Sequence, residues 1–296
     1  MNRFPNLAIT SAGIRKPQSF YTILPGVSRS RFQSRYRVGA LTCVEKGSLQ
    51  AVAAFRPRSG TRSWEISHLY ATPDSGDALI ALLEQAAAVS AYGGAERVFL
   101  RVQSDGDIIP MARRAGFFPC YLETLYRGQT AVAKSRRGLF DTDAHSMIRG
   151  PEHDHALFRL YNETTPVKIR QLVGMTLDQW KDSRERSNGR RIERVVEVDG
   201  NVRSSLATSV RSGVGKIDVV PHPDYAALTP DLIDYALRSL SNSRSVVALV
   251  PDYAPLLGSY LEEHRFRPEG EFAVLVKSTA RMARQPVAAR TSFVAE

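Results

Sequence analysis

The side chains able to do chemistry in this chain are scattered, and most of their patterns are incomplete. His153 and His155 flank Asp154 and could offer two imidazoles to a metal ion. No third ligand stands at helical or loop spacing from them, so no metal site is expected. Cys43 and Cys120 are too few for a disulfide framework, and both lie in apolar stretches where a cysteine packs as a small core residue. Of 40 basic residues 33 are arginine; the planar fork suits phosphate better than an ammonium does, but genome composition is the favoured reason for such a bias. Ten of the 40 fall in residues 1–60 against Glu45 alone, with Phe20, Tyr21, Phe32 and Tyr36 interleaved. Such an arm could grip phosphates and stack on bases. A basic, Ser/Pro-rich arm is more often plain soluble surface. The net charge of +10 is carried by this arm and by the tail from residue 278, so the body of the chain is near neutral.

The elements that must position these groups occur in two sets. After a weakly periodic stretch at 1–36, apolar alternation predicts strands at 37–43, 49–55 and 64–71. A helix follows at 78–90, stopped by Gly93-Gly94, then a strand at 98–102, a short helix at 108–114 and a strand at 121–126. Residues 131–143 look like a linker. A second set opens with a strand at 146–149 and helices at 154–162 and 176–184. It continues with strands at 191–198 and 202–209 around an Asp199-Gly200-Asn201 turn. A strand at 215–220, a helix at 231–241, a strand at 245–250, a helix at 255–263 and a strand at 271–277 complete it. Residues 278–296 form a polar, Arg-bearing tail.

The two sets are copies. VFLRVQSDGDIIPMARRAGFFPCYLETLY and VVALVPDYAPLLGSYLEEHRFRPEGEFAVLV share one order of apolar run, turn, short helix, aromatic-x-Pro step and apolar run. Phe117 and Phe266, and Pro119 and Pro268, stand 149 residues apart. A period of half the chain means duplicated domains, not a solenoid. The expected division is 1–130, a linker at 131–144, a second domain at 145–277 and the tail. No apolar run approaches the ~18–20 residues of a membrane span, and the N-terminus lacks a secretion leader. A cytoplasmic protein with no membrane partner is expected.

The order of elements, WEISHLYATP before a helix, ARRAGFFP, HSMIRGPEHDHALFRLY and IDVVPHPDY together resemble the GNAT superfamily of N-acetyltransferases, over residues 37–130 and 145–277. The resemblance implies an α/β fold with a mixed sheet, duplicated in tandem. It also implies acetyl-CoA as acyl donor and a small-molecule or peptide amine as acceptor. Three functions are open: acyl transfer from acyl-CoA to an unknown amine, a catalytically inactive tandem protein that binds a ligand or partner, and nucleic-acid binding by the basic arm.

The resemblance also assigns residues. In the family a basic residue and glycines between the fourth strand and its helix let backbone N–H groups approach the pyrophosphate. The first copy has only Asp74-Ser75-Gly76-Asp77 there, a short loop with one glycine and no cation. The second keeps the length, so Val219, Val220, Tyr225, Ala226, Ala227, Leu228 and Thr229 are the positions that would face the cofactor. Ala226 stands at the basic position, however, and Ala227, Thr229 and Asp231 stand at the glycines. Pro230 has no N–H to donate. Amine attack on a thioester needs a base for the amine and an acid for the leaving thiolate. Glu65 matches the family's carboxylate in copy one; copy two has Lys216 there, with Asp218 two residues on. Tyr260 lies one residue from the register of the family's tyrosine, about 100° around the helix. Trp64, Tyr70, Phe158 and Trp180 sit at core spacing, and some could line an acceptor pocket.

Overall fold

A computed structural model of the chain describes residues 6–16, 39–130, 145–186 and 189–279. Among the described residues, eleven strands form one continuous mixed sheet with eight helices. A short helix, α1 (Ser11–Arg15), comes first. In the first copy β1 (Gly39–Glu45), β2 (Ser48–Pro57) and β3 (Ser63–Ala71) run antiparallel. Then α2 (Gly76–Tyr92) crosses over to β4 (Arg97–Gln103), parallel to β3, and α3 (Ile108–Arg114) leads to β5 (Phe118–Gly128). The second copy has β6 (His145–Ile148), α4 (Asp154–Thr164), α5 (Val167–Val173), α6 (Leu177–Ser183), β7 (Arg191–Val198), β8 (Asn201–Arg211) and β9 (Val214–Pro221). It closes with α7 (Thr229–Ser239), β10 (Ser245–Pro251), α8 (Pro255–Glu263) and β11 (Arg267–Ser278).

Local chemistry explains these elements. The buried stripe Leu79, Leu82, Leu83, Ala86 and Ala87 puts α2 on the sheet, and Gly94 ends the turn after it at φ +95°. Asp199 and Gly200 both take positive φ, which matches the β7–β8 turn to the strand twist. The sequence did not signal α1 or α5, whose five and seven residues carry too little periodicity. Strand β11 also begins four residues earlier than its apolar run, because Arg267, Pro268 and Gly270 pair with β5.

The two copies are contiguous in sequence but not separate in the sheet. The strand order is β1-β2-β3-β4-β11-β5-β10-β9-β8-β7-β6. The last strand of each copy has crossed into the other: β11 lies antiparallel between β4 and β5, and β5 lies antiparallel between β11 and β10. The cores follow. Ala273 and Leu275 of β11 complete the first copy's core under α2 and α3, and Tyr126 of β5 packs on the second copy's core. The expected linker and the residues from 280 onward lie outside the described residues.

Each copy also opens a gap. Strands β3 and β4 pair only over Ser63–Glu65 with Arg97–Phe99, and β9 and β10 only over Val214–Ile217 with Ser245–Ala248. Beyond these few pairs the parallel neighbours splay, leaving backbone groups without a ladder partner. What fills the two gaps differs.

Candidate active site

In the second copy the gap is a cleft. A cavity of about 360 Å³ is lined by Val219, Val220 and Pro221 from β9, Ala226 from the following turn, Pro251 at the end of β10 and Tyr253 after it, Leu257 and Tyr260 from α8, and Leu160 and Tyr161 from α4. Its walls are mostly apolar.

The cleft joins a second cavity of about 310 Å³ at the seam between the copies. Tyr161, Trp180, Val219, Val220, Pro251 and Tyr253 line both. The seam chamber is charged: Arg58, Arg101, Arg149, Arg184, Arg191, Arg194 and Lys216 face Glu123, Glu185, Glu193 and Asp218. These groups form a chain of alternating sign. Arg101 donates to Glu123 at 2.7 Å and to Glu185 at 2.5 Å. The Ser11 hydroxyl donates to Glu185 and accepts from Lys216 at 3.2 Å. Lys216 pairs with Asp218 at 2.7 Å, Arg191 bridges Asp218 and Glu193, and Arg184 donates to both oxygens of Glu193. Burial pushes the carboxyls of Glu185 and Asp218 up, but the cations outweigh it. Arg101 and Lys216 hold Glu185 well below the usual range, and Lys216 and Arg191 lower Asp218.

The tyrosines at the junction move the other way. Burial raises Tyr253, with Glu123 adding to it, and burial raises Tyr161, so both stay protonated. Tyr253 hydrogen-bonds Thr165 and meets Tyr121 edge-on at 5.7 Å. Cys120 is pushed up to about 12, first by burial and then by Asp252, so its thiol is no nucleophile.

In the first copy the gap holds the chain's own N-terminal segment. Leu7 N–H donates to Leu69 C=O of β3 at 2.7 Å, and Ile9 N–H donates to Arg101 C=O of β4 at 2.8 Å. Asn6 Oδ1 accepts from Leu69 N–H at 2.9 Å, and Ala8 between them is 1% exposed. The segment supplies to both splayed strands the bonds they lack to each other. It then turns into α1, where Arg15, also buried, donates to Ser209 of β8 at 3.0 Å.

No family model matches the chain, and no curated protein matches its sequence. Solved structures do match in shape. One is a tandem GNAT protein from the clavulanic acid biosynthesis pathway, at TM-score 0.50 and 13% identity, covering 81% of this chain and 82% of that one. Another is a functionally unknown conserved protein from Staphylococcus epidermidis, at TM-score 0.55 and 14% identity, covering 86% and 99%. The chain has a tandem GNAT fold. At these identities the likeness speaks for the fold alone.

On this GNAT fold the sequence-derived positions separate. Val219, Val220, Ala226 and Tyr260 come together in the cleft. Leu261, the residue in the family's tyrosine register, is fully buried in the core. Tyr225 turns to Arg203, whose guanidinium lies 5.0 Å over its ring. Leu228 packs against the core and Thr229 is fully buried at the start of α7. Ala227, like these three, lines neither cavity. Glu65 is buried in β3 and held by Arg56 at 2.7 Å and Arg58 at 3.4 Å. It lines neither cavity, so Glu65 and Tyr260 are not brought to one site.

The loop before α7 closes on itself. Residues Pro223–Leu228 form a 3-10 turn in which Tyr225 N–H bonds to His222 C=O and Asp224 N–H to the His222 ring. With Asp224 in that turn and Asp231 in the first turn of α7, the loop carries two carboxylates and does not fit a pyrophosphate. The apolar cleft beside it fits an acyl-bearing arm. Sequence reasoning did not single out Tyr253, Arg58, Arg101 or Glu185. For Tyr253 a signal existed: it follows the end of a parallel strand at a splay, where open α/β sheets place their ligands.

Proposed function

We propose that the chain is an N-acyltransferase acting from a thioester donor on an amine, with the second copy as donor half and the first as structural half. The observation that supports this reading most is the apolar cleft at the β9–β10 splay, opening at Tyr253 into a charged chamber. The donor, when bound, supplies an acyl group activated as a thioester. Val219, Val220 and Ala226 would hold its arm. Tyr253, kept protonated at the junction, is placed to give a proton to a leaving sulfur. Asp218, just before the shared residues of β9, is already paired with Lys216 and Arg191, so the amine would enter neutral and lose its proton to solvent after attack. The N-terminal segment closes the other gap, which is why only one half is assigned to the donor.

The closed loop favours a second reading, a ligand-binding tandem GNAT fold without transfer. It also gives the donor reading a distinctive signature. If the loop contributes nothing, acetyl-pantetheine binds about as tightly as acetyl-CoA. Calorimetry with both donors, on the wild type and on Ala226→Trp, tests this. The expected result is similar affinities and loss of both in the variant, with its melting temperature kept. No binding of either at millimolar concentration removes the donor reading. Binding with no transfer to any amine leaves the second.

Nucleic-acid binding by the basic arm has less support. Of its described cations, Arg15 is buried against Ser209 and Arg58 lies in the seam. The aromatic residues assigned to base stacking lie outside the described residues.

A further inference from the structure

The charges that line the two joined cavities answer one another. Glu123 and Glu185 are held by Arg101 at 2.7 and 2.5 Å. Glu193 is held by Arg184 at 2.9 Å and Arg191 at 2.6 Å, and Asp218 by Lys216 at 2.7 Å and Arg191 at 3.2 Å. Beyond the lining, Glu65 answers Arg58 at 3.4 Å and Asp154 answers Arg149. Among the described residues no histidine lines either cavity. Carboxylates held down by cations are poor bases, and burial keeps Tyr161 and Tyr253 protonated. An ammonium entering here would leave water with no unpaired carboxylate to face it, which is costly. The wall at the junction is instead aromatic. Tyr161, Trp180 and Tyr253 line both cavities, with the Trp180 ring 6.0 Å from Tyr161. The first copy fixes Trp180 from behind: the carbonyls that end α6, of Ser183 and Arg184, accept from Arg58 at 2.9 Å and from Ser59 N–H at 3.0 Å. Such a wall is set before a ligand arrives.

We infer that the acyl acceptor is an aromatic amine, its nitrogen bonded to the ring and uncharged at neutral pH, with the ring laid against Trp180, Tyr161 and Tyr253. The inference rests on the acyl-transfer reading for the word acceptor, and on the two cavities alone for the class of amine. A nitrogen on a ring shares its lone pair with the ring, so at pH 7 it carries no extra proton and attacks without a base. It forms the bond to the acyl carbon as the carbon–sulfur bond breaks. The sulfur takes the Tyr253 proton, the nitrogen gives one proton to solvent, and solvent restores Tyr253. The flat body gains from offset or edge contacts with the three rings.

The test needs no donor. 2-Aminonaphthalene and 2-(aminomethyl)naphthalene, which share a ring system and differ in whether the nitrogen is charged, are titrated into the full chain by calorimetry from pH 6 to 9. The first is expected to bind with an affinity that does not change with pH. The second is expected to bind more weakly at pH 7 and to gain about ten-fold per pH unit, since only its neutral fraction is competent. Trp180→Leu should weaken the first by about ten-fold, and Trp180→Phe should restore most of it. The pH series uses the wild type, so it stands if Trp180→Leu fails to fold. No binding of 2-aminonaphthalene at millimolar concentration overturns the inference. So does equal binding of the two at pH 7, or tighter binding of 2-(aminomethyl)naphthalene at pH 6 than at pH 9, because the rings would then be holding a cation. Acetyl-CoA titration reads the donor cleft separately. Its failure with the amine pattern intact removes the donor reading and leaves the aromatic-amine site; the opposite pattern removes the site and leaves the donor.

Discussion

Arg101 and Glu123 form a 2.7 Å hydrogen-bonded ion pair across a strand that belongs to neither of them. Arg101 is on β4 and Glu123 on β5, and β11 of the other copy runs between, with Val274 facing Arg101 and Phe272 facing Glu123. The pair clamps the exchanged strand in place. Both side chains are under a tenth exposed. Replacing Arg101 by Met leaves Glu123 and Glu185 with a shared cation removed, and breaking such a buried pair costs about 3–5 kcal/mol. Chemical denaturation of Arg101→Met should show a loss of that size. A change under about 1 kcal/mol, the scale of an exposed pair, would mean that the clamp is not felt.

The same network sets the acid side of the stability curve. Cations hold Glu185, Asp218 and Glu193 below their ordinary carboxyl range in the fold, against the push of burial. A carboxyl depressed by folding adds stability that is fully present above its unfolded value, 4.5 for Glu185, and is lost as pH falls through the folded value. The melting temperature should therefore hold steady from pH 7 to about 5 and fall below that. Glu185→Gln should melt lower at pH 7 and show a shallower acid limb. An acid limb as steep as that of the wild type would assign the fall to other groups.

Much of this architecture was legible, and the reasons are local. Periodicity marked nearly every strand and long helix, because one face of each is apolar. The repeat even marked equivalent backbone positions. Gly116 and Arg265, 149 residues apart, both end their helices with positive φ, 82° and 64°, so the second copy keeps the left-handed turn without the glycine that makes it cheap. The exchange of β5 and β11 was not legible, since each strand has the same apolar run whichever neighbour it meets. The seam chamber was not legible either. Arg58, Arg101, Glu185 and Lys216 are far apart in sequence and look like ordinary surface charges until the topology brings them together. Tyr260 lines the cleft although its position is one residue from the family's register, and Arg56, the cross-strand partner of Glu65, cannot be seen without the strand register.

The N-terminal segment should be a structural part of the first copy. Asn6 accepts from Leu69 and Ala8 with one carbonyl oxygen, at 2.9 and 3.2 Å. Leaving the amide of Leu69, a fully buried residue, without its acceptor costs about 1–3 kcal/mol. Asn6→Ala should lower stability by that order and speed hydrogen exchange at the Leu69 amide, while acetyl-CoA affinity in the second copy stays unchanged. Faster exchange at Leu69 with a second donor site appearing would mean that the segment masks a competent cleft.

At Tyr253 the expected readout is rate. Phenylalanine keeps the ring against Tyr121 and removes the hydroxyl that stays protonated at the cavity junction. Loss of a general acid typically costs 10²–10⁴-fold. Acyl transfer by Tyr253→Phe should fall by roughly 10²-fold or more, with the affinity for acetyl-pantetheine little changed. Tyr260→Phe, inside the cleft but away from the chamber, should leave the rate close to wild type. The reverse ranking would return the acid to Tyr260.

Strand exchange makes a stronger claim about independence than duplication does. A first copy ending at residue 130 keeps β4 and β5 but loses β11 from between them, and with it Ala273 and Leu275 from its core. A second copy starting at 145 keeps β10 and β11 but loses β5 from between them. Each half alone thus has two strands that must either close on each other across a missing neighbour or pair with another chain, and unpaired edges of this kind drive association. Expressed singly, each half should be insoluble or dimeric on size-exclusion chromatography. Co-expressed, the two should copurify as one species that melts in a single transition. A soluble, monomeric, well-folded half would show that the copies fold as closed units and that the exchange contributes little to holding the sheet together.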